Sequence, residues 1–135
     1  MLLATSIALW VNRLTGVAQI VLGLLFWSGR AYSLRPLHML VGMVFVIALW
    51  VLTGLARRAG LGMRWVLLAA IWGLVVPAFG IAHPHLLAGS GHWIVRVIHL
   101  LIGLIAMFIA ARLAGHVRRR LDLVRSAGSD VLSAA

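Results

Sequence analysis

Two histidines of this chain occupy the same position in two copies of one sequence pattern. His38 and His99 each follow an arginine by three residues and precede a glycine by four, and each copy then runs to a second glycine and a pair of arginines. The shared pattern is Arg-x2-His-x3-Gly-x11-Gly-x2-Arg-Arg. A neutral imidazole is a common metal ligand in proteins, so a matched pair of histidines predicts one metal centre held between the two copies.

The composition places these histidines in a membrane protein. Hydrophobic residues make up 64% of the 135 residues, the mean hydropathy is +1.11, and a soluble domain averages only about 45–50% apolar residues. The chain has no cysteine, which excludes c-type haem attachment, cysteine-bound iron–sulfur clusters and disulfides. The net charge of +10 comes from twelve arginines against two acids. These arginines flank apolar segments, and no basic soluble domain remains, so we expect no nucleic-acid partner.

Four apolar segments are long enough to cross a bilayer, which needs about 20 residues. They cover residues 7–28, 36–56, 65–82 and 93–113, and the first is predicted to be a retained span. Nine arginines flank one side and three the other, so the positive-inside rule predicts that both termini are cytoplasmic. The expected location is the bacterial inner (plasma) membrane. Residues 117–135 are predicted to form a short cytoplasmic tail, with an interfacial helix and a disordered segment as the alternatives after Arg120.

The predicted fold class is an all-α, four-helix transmembrane bundle made of two repeated hairpins. The transmembrane domain is predicted at 1–116, with repeat halves at about 7–58 and 65–119. The odd-numbered spans also match, because Gly16 and Gly23 in the first and Gly73 and Gly80 in the third have the same spacing. Repeats with an even number of spans are related by an axis along the membrane normal. We therefore expect the second and fourth helices to be parallel, with His38 and His99 at similar depth.

Two facing imidazoles at one depth predict the axial ligation of one haem iron. Gly42 and Gly103 lie one turn beyond the histidines on the same helix face, where a missing side chain leaves room for a flat macrocycle. Gly23 and Gly80 lie at roughly matching depth on the other two helices and are predicted to flank the ring edges.

Arginines one turn nearer the water are predicted to bind the propionates of this haem. Arg35 and Arg96 precede the histidines by three residues, and a guanidinium forms charge-assisted hydrogen bonds with a carboxylate. Fourteen residues beyond each histidine the chain has Leu52 and Leu113. A second haem-binding pair is therefore not expected.

Structural alternatives explain parts of the same pattern. Glycines in membrane helices commonly serve close helix packing, and a gene duplication alone preserves matched residues. A second histidine group, at the predicted outer side, consists of His83, His85 and His92. It is interpreted as an exposed loop, with copper or zinc binding and contact with a quinone headgroup as alternatives.

On the basis of these histidines and glycines, the chain resembles a small membrane b-type cytochrome. Residues 7–113 are similar to the haem-binding core of the respiratory cytochrome b superfamily, which pairs histidines from its second and fourth helices and lines the haem with glycines. The resemblance implies haem b as cofactor. Those relatives carry two histidines on each ligand helix and two haems, whereas this chain has one per helix.

A shorter resemblance involves the first span. Asn12-Arg13-Leu14-Thr15-Gly16 is similar to the His-Arg-x-Ser-Gly start of succinate dehydrogenase cytochrome b anchors, although Asn12 replaces the leading histidine. It implies a quinone near Arg13 and Thr15. The alternative for Arg13 is an arginine that extends to the interface.

The leading hypothesis is thus an electron-transfer subunit without its own bond-making site. Its expected partners are the lipid bilayer and other membrane or periplasmic redox subunits, and a homo-oligomer is left open. The alternatives are a small membrane transporter and a cofactor-free anchor or assembly subunit. The spans contain no acidic residue, which disfavours a proton-coupled exporter.

Overall fold

The protein is a bundle of four long helices. The computed structural model describes the backbone of residues 1–87 and 89–133, and the side chains up to residue 127 within those ranges. It contains helices throughout and no strand in these ranges. The helices are α1 (Leu2–Trp27), α2 (Arg35–Arg58), α3 (Met63–Ala82) and α4 (His92–Ser133), with single 3-10 turns at Tyr32–Leu34 and His83–His85. The all-α prediction is confirmed.

All four helices are long and apolar enough to span a membrane, and each predicted segment lies in one of them except for Ser28, which follows the end of α1 at Trp27. Pro36 lies in the first turn of α2, where a missing N–H leaves no hydrogen bond unmade. Helix α3 is continuous through Pro77. Many large side chains on the outside of the bundle are apolar and exposed, such as Ile81 and Phe108. That surface suits contact with lipid.

Two boundaries differ from the sequence prediction. Helix α1 begins at Leu2 rather than at residue 7. Helix α4 does not end at residue 113 but continues to Ser133, so residues 117–133 of the predicted tail are helical. Its 42 residues give a length of roughly 63 Å at about 1.5 Å per residue, twice the apolar thickness of a bilayer. Hydropathy marks where apolar residues stop, whereas the helix continues through Gly115 and the arginines that follow it. Ala134 and Ala135, the end of that tail, lie outside the described residues.

Helices α2 and α4 form the centre of the bundle. Each packs against the other and against both α1 and α3, which lie on either side of the central pair. One face of α4 carries alanines one turn apart, at 106, 110 and 114, all essentially inaccessible and part of the common core. Leu49 and Leu52 of α2 are fully buried in the same core. Small residues that let backbones approach are typical of helix contacts in lipid.

Hydrogen bonds also connect the helices in chain order. Each runs from a side-chain N–H on one helix to a backbone carbonyl on the next. They are Asn12 to Phe45 (3.2 Å), Gln19 to His38 (2.8 Å), Trp50 to Ala70 (3.3 Å) and Trp72 to Ile102 (3.1 Å). In an apolar surrounding these bonds fix the rotation of each helix against its neighbour.

Candidate functional site

The structure brings His38 of α2 and His99 of α4 together. Their ring centres are 6.3 Å apart and the ring planes are tilted by 45°. Both side chains are half-buried. The pair lies near the beginnings of the two central helices, which pack against each other.

Both imidazoles have polar atoms without a partner. The Nδ1 atoms of His38 and His99 are buried and make no hydrogen bond. A buried polar atom without a partner destabilises the fold by about 1–3 kcal/mol and calls for an explanation. Two such atoms lie on these neighbouring rings.

Phenylalanines flank both rings. Phe26, near the end of α1, meets His38 edge to face at 5.3 Å, and Phe79 of α3 stacks on His99 at 5.8 Å with ring planes 15° apart. These contacts limit rotation of the imidazoles and make their surroundings apolar. Neither phenylalanine was predicted as part of the site, because apolar residues in a span carry no separate signal.

Two further histidines, His83 and His92, lie between His99 and the turn after α3. The His83 ring lies 5.3 Å from that of His99, and the His92 ring lies 4.9 Å from that of His83. His92 is anchored by a contact of 3.0 Å between its Nδ1 and the carbonyl of Leu86. His85 is exposed. Within the described ranges, no group of three metal-ligating side chains is arranged to hold a metal ion, so copper or zinc binding by this loop has no support.

Gly42 makes room for a side chain from α1. Gln19 donates from its Nε2 to the carbonyl of His38, and a Cβ at position 42 would collide with that same amide nitrogen. The space that the sequence assigned to a macrocycle at Gly42 is therefore occupied by Gln19. The Oε1 of Gln19 is buried without a partner, a third unsatisfied polar atom near the histidine pair.

The other predicted glycines have different surroundings. A Cβ at Gly103 or Gly23 would meet nothing within 4 Å, whereas at Gly80 it would lie 3.5 Å from Cε1 of His99. Open space beside Gly103 and Gly23 is compatible with a bound group there. Gly80 instead allows α3 to approach the ring of His99.

Both predicted arginines lie near the histidine cluster. The charges of Arg35 and Arg96 act on the ring of His83, and Arg35 is exposed while Arg96 is half-buried. No acidic residue belongs to the neighbouring helices in this half of the bundle, since the two acids of the chain are Asp122 and Asp130. The arginines are thus available to an external anion.

Gln19 is the contact residue that the sequence prediction missed, although a signal existed. Thr5, Asn12 and Gln19 recur every seven residues along α1, which places them on one face. Thr5 and Asn12 are fully buried. A polar stripe inside a span faces the bundle interior and marks functional contacts more often than chance.

The residues of the quinone resemblance do not converge. Arg13 is exposed, with its guanidinium 5.8 Å from the Trp10 ring centre, as expected of an arginine that extends to the interface. The hydroxyl of Thr15 donates within its own helix, to Val11 and Asn12. Asn12 contacts Phe45, and its Oδ1 is buried without a partner.

Comparison of the chain with known protein families, with curated proteins and with solved structures gives no match.

Proposed function

We propose that this protein is a membrane b-type cytochrome that binds one haem between His38 and His99. The spacing of the two rings is the observation that carries the proposal. A metal–imidazole bond is about 2 Å long, and each ligating nitrogen lies about 1 Å from its ring centre. Two imidazoles opposed across one iron thus have centres roughly 6 Å apart, and the measured separation is 6.3 Å.

Several neighbouring features support the same assignment. The unpartnered Nδ1 atoms of both rings and the open space beside Gly103 suit a bound group. Arg35 and Arg96 supply two positive charges for propionates. Deeper in the bundle, Leu52 and Leu113 are buried in the core. Packed leucines there favour a single haem.

The haem would supply reversible one-electron transfer at iron, and the residues of the chain tune it. His38 and His99 hold the iron, and Phe26 and Phe79 exclude water from the ligand rings. Gln19 fixes the backbone of His38. We assign no bond-making step to any side chain.

The proposal includes a topology and a context. We infer two repeated hairpins related by a pseudo-twofold axis, with both termini in the cytoplasm and the histidine pair near the opposite side of a bacterial inner membrane. A haem at that depth would exchange electrons with an outer-side redox subunit, with a quinone as an alternative partner. Transport and a cofactor-free anchor remain the competing assignments.

The proposal is tested by absorption spectroscopy of the purified protein. We expect a Soret band and, after dithionite reduction, a sharp α band of low-spin haem b, with one haem per chain by pyridine haemochrome assay. A protein that folds in detergent but stays colourless when expressed with ample haem would overturn the assignment and favour the anchor.

Histidine variants then locate the ligands. His38→Ala and His99→Ala should each abolish the low-spin spectrum, because each removes one axial ligand. His85→Ala is the matched control, since this exposed histidine lies in the turn after α3 and should leave the spectrum unchanged. Retention of the low-spin bands in either of the first two variants would show that another residue holds the iron.

A further inference from the structure

The arginine-rich end of the bundle, opposite the histidine pair, contains two adjoining cavities. One has a volume of about 340 Å³ and the other about 240 Å³, and both are lined by Met1 and Leu121. Arg58 of α2 and Arg120 of α4 line the smaller cavity together with Val124. The walls thus combine two guanidinium groups with apolar side chains.

Arg58 and Arg120 converge on this cavity without a protein carboxylate. The guanidinium of Arg120 lies against the turn between α2 and α3, 3.4 Å from the position of a Cβ at Gly60. Arg58 is the last residue of α2, directly before that turn. Asp122 lines only the larger cavity, beside Arg125. The side chains of Arg58 and Arg120 are both exposed, and two positive charges at one concave surface make an anion between them favourable.

The other residues at this end of the bundle carry too little negative charge to neutralise Arg58 and Arg120. Eight arginines are found here, at positions 57, 58, 64, 112, 118, 119, 120 and 125. Asp122 is the one acidic side chain in the part of the chain whose side chains are described. The compensating negative charge must therefore come from outside this part of the protein.

We propose that the smaller cavity binds the phosphodiester of an acidic phospholipid from the adjacent leaflet, with phosphatidylglycerol as the best-fitting class. The two guanidinium groups would hold the phosphate, since arginine pairs with phosphate oxygens through several parallel hydrogen bonds. Leu121 and Val124 offer apolar surface to the start of the acyl chains. Asp122, in the adjoining cavity, provides an acceptor for a glycerol hydroxyl. Basic pockets between membrane helices bind anionic headgroups in this way.

The test is a binding titration on the full 135-residue chain in a neutral detergent. A short-chain phosphatidylglycerol with a fluorescent acyl tail serves as the probe, and the dissociation constant is read from fluorescence anisotropy. Arg58→Gln/Arg120→Gln should bind roughly 25-fold more weakly, from two charge contacts of about fivefold each. Arg58→Lys/Arg120→Lys should recover part of the affinity.

The control variant changes the same number of charges at the same end. Arg57→Gln/Arg119→Gln replaces the sequence neighbours of the two cavity arginines. These neighbours are exposed, as Arg58 and Arg120 are, but they line neither cavity. It should keep the dissociation constant within about twofold, at the level of a single distant charge. Equal weakening in both double variants would overturn the proposal, because it would show a diffuse surface effect.

Competitors identify the source of the phosphate. Unlabelled phosphatidylglycerol should displace the probe, whereas phosphatidylcholine of the same chain length should do so poorly. Displacement by millimolar inorganic phosphate as effectively as by phosphatidylglycerol would overturn the lipid assignment in favour of a free anion. These measurements need no haem, so their failure and that of the cytochrome proposal are independent.

Discussion

Gln19 holds the candidate ligand His38 in position through a hydrogen bond to its backbone carbonyl. Gln19 can reach it only because residue 42 has no side chain. The two positions therefore act together: one supplies the hydrogen bond and the other supplies the room for it. A group that orients a metal ligand in this way commonly contributes as much to metal binding as a weak ligand.

Gln19→Leu should weaken haem retention by about 2–10-fold, the equivalent of one hydrogen bond of about 0.5–1.5 kcal/mol. The Leu side chain keeps the volume but cannot donate to His38. Haem transfer to apomyoglobin measures the retention, and electron paramagnetic resonance of the oxidised protein should show altered low-spin g values. Unchanged g values and transfer rate would mean that Gln19 only packs against α2.

Gly42→Ala should reproduce the effect of Gln19→Leu, because the added Cβ displaces the amide without changing it. Gly54→Ala is the matched control on the same helix, where a Cβ would meet nothing within 4 Å. It should leave haem binding and thermal stability as they are. If Gly42→Ala also left haem binding and thermal stability unchanged, the contact with Gln19 would not be needed for haem binding.

At the scale of elements, the site depends on how closely α4 approaches α2. The alanines of α4 belong to the core that it shares with α2, and the hydrogen bonds from Trp50 and Trp72 connect α3 to both central helices. The distance between the histidine rings therefore depends on helix packing as well as on the residues that contact His38 and His99.

Ala110→Leu should destabilise the bundle by about 1–3 kcal/mol, as overpacking of a filled core does, and should separate the central helices. Ala110 is fully buried. Ala78→Leu provides the control, since Ala78 is exposed on α3 and should tolerate the larger side chain. Thermal unfolding in detergent, followed by circular dichroism, compares them. Equal stability of the two variants would contradict the packing argument.

At the scale of the whole molecule, the two ends of the bundle differ in charge and in the candidate sites that they contain. The arginine-rich end contains the two cavities lined by Met1 and Leu121, and the other contains the histidine cluster with Arg35 and Arg96. The positive-inside rule assigns the first end to the cytoplasm. The orientation proposed for the protein follows from this difference alone.

The lack of cysteine makes this orientation easy to test. Ser33→Cys, in the turn before α2, should react with a membrane-impermeant maleimide on intact cells, whereas Gly62→Cys, in the turn before α3, should react only after permeabilisation. The opposite labelling pattern would place the histidine pair on the cytoplasmic side and reverse the proposed direction of electron exchange.

The sequence by itself determined the all-helical class and the four spans, because both follow from local apolar content and helix length. It also predicted that His38 and His99 form a pair, since a repeated pattern carries positional information without any knowledge of packing. It did not locate the end of α4, because hydropathy marks the extent of a membrane span and not where a helix stops.

Only the tertiary structure decided what surrounds the pair. Gln19 reaches His38 from 19 residues away in the chain, and Phe79 and His83 reach His99 from another helix and its following turn. The rotation of each helix about its own axis selects these contacts, and that rotation is set by all the neighbouring helices at once. For the same reason Gly42 and Gly103, equivalent in the sequence pattern, have different surroundings: one adjoins a glutamine and the other adjoins open space.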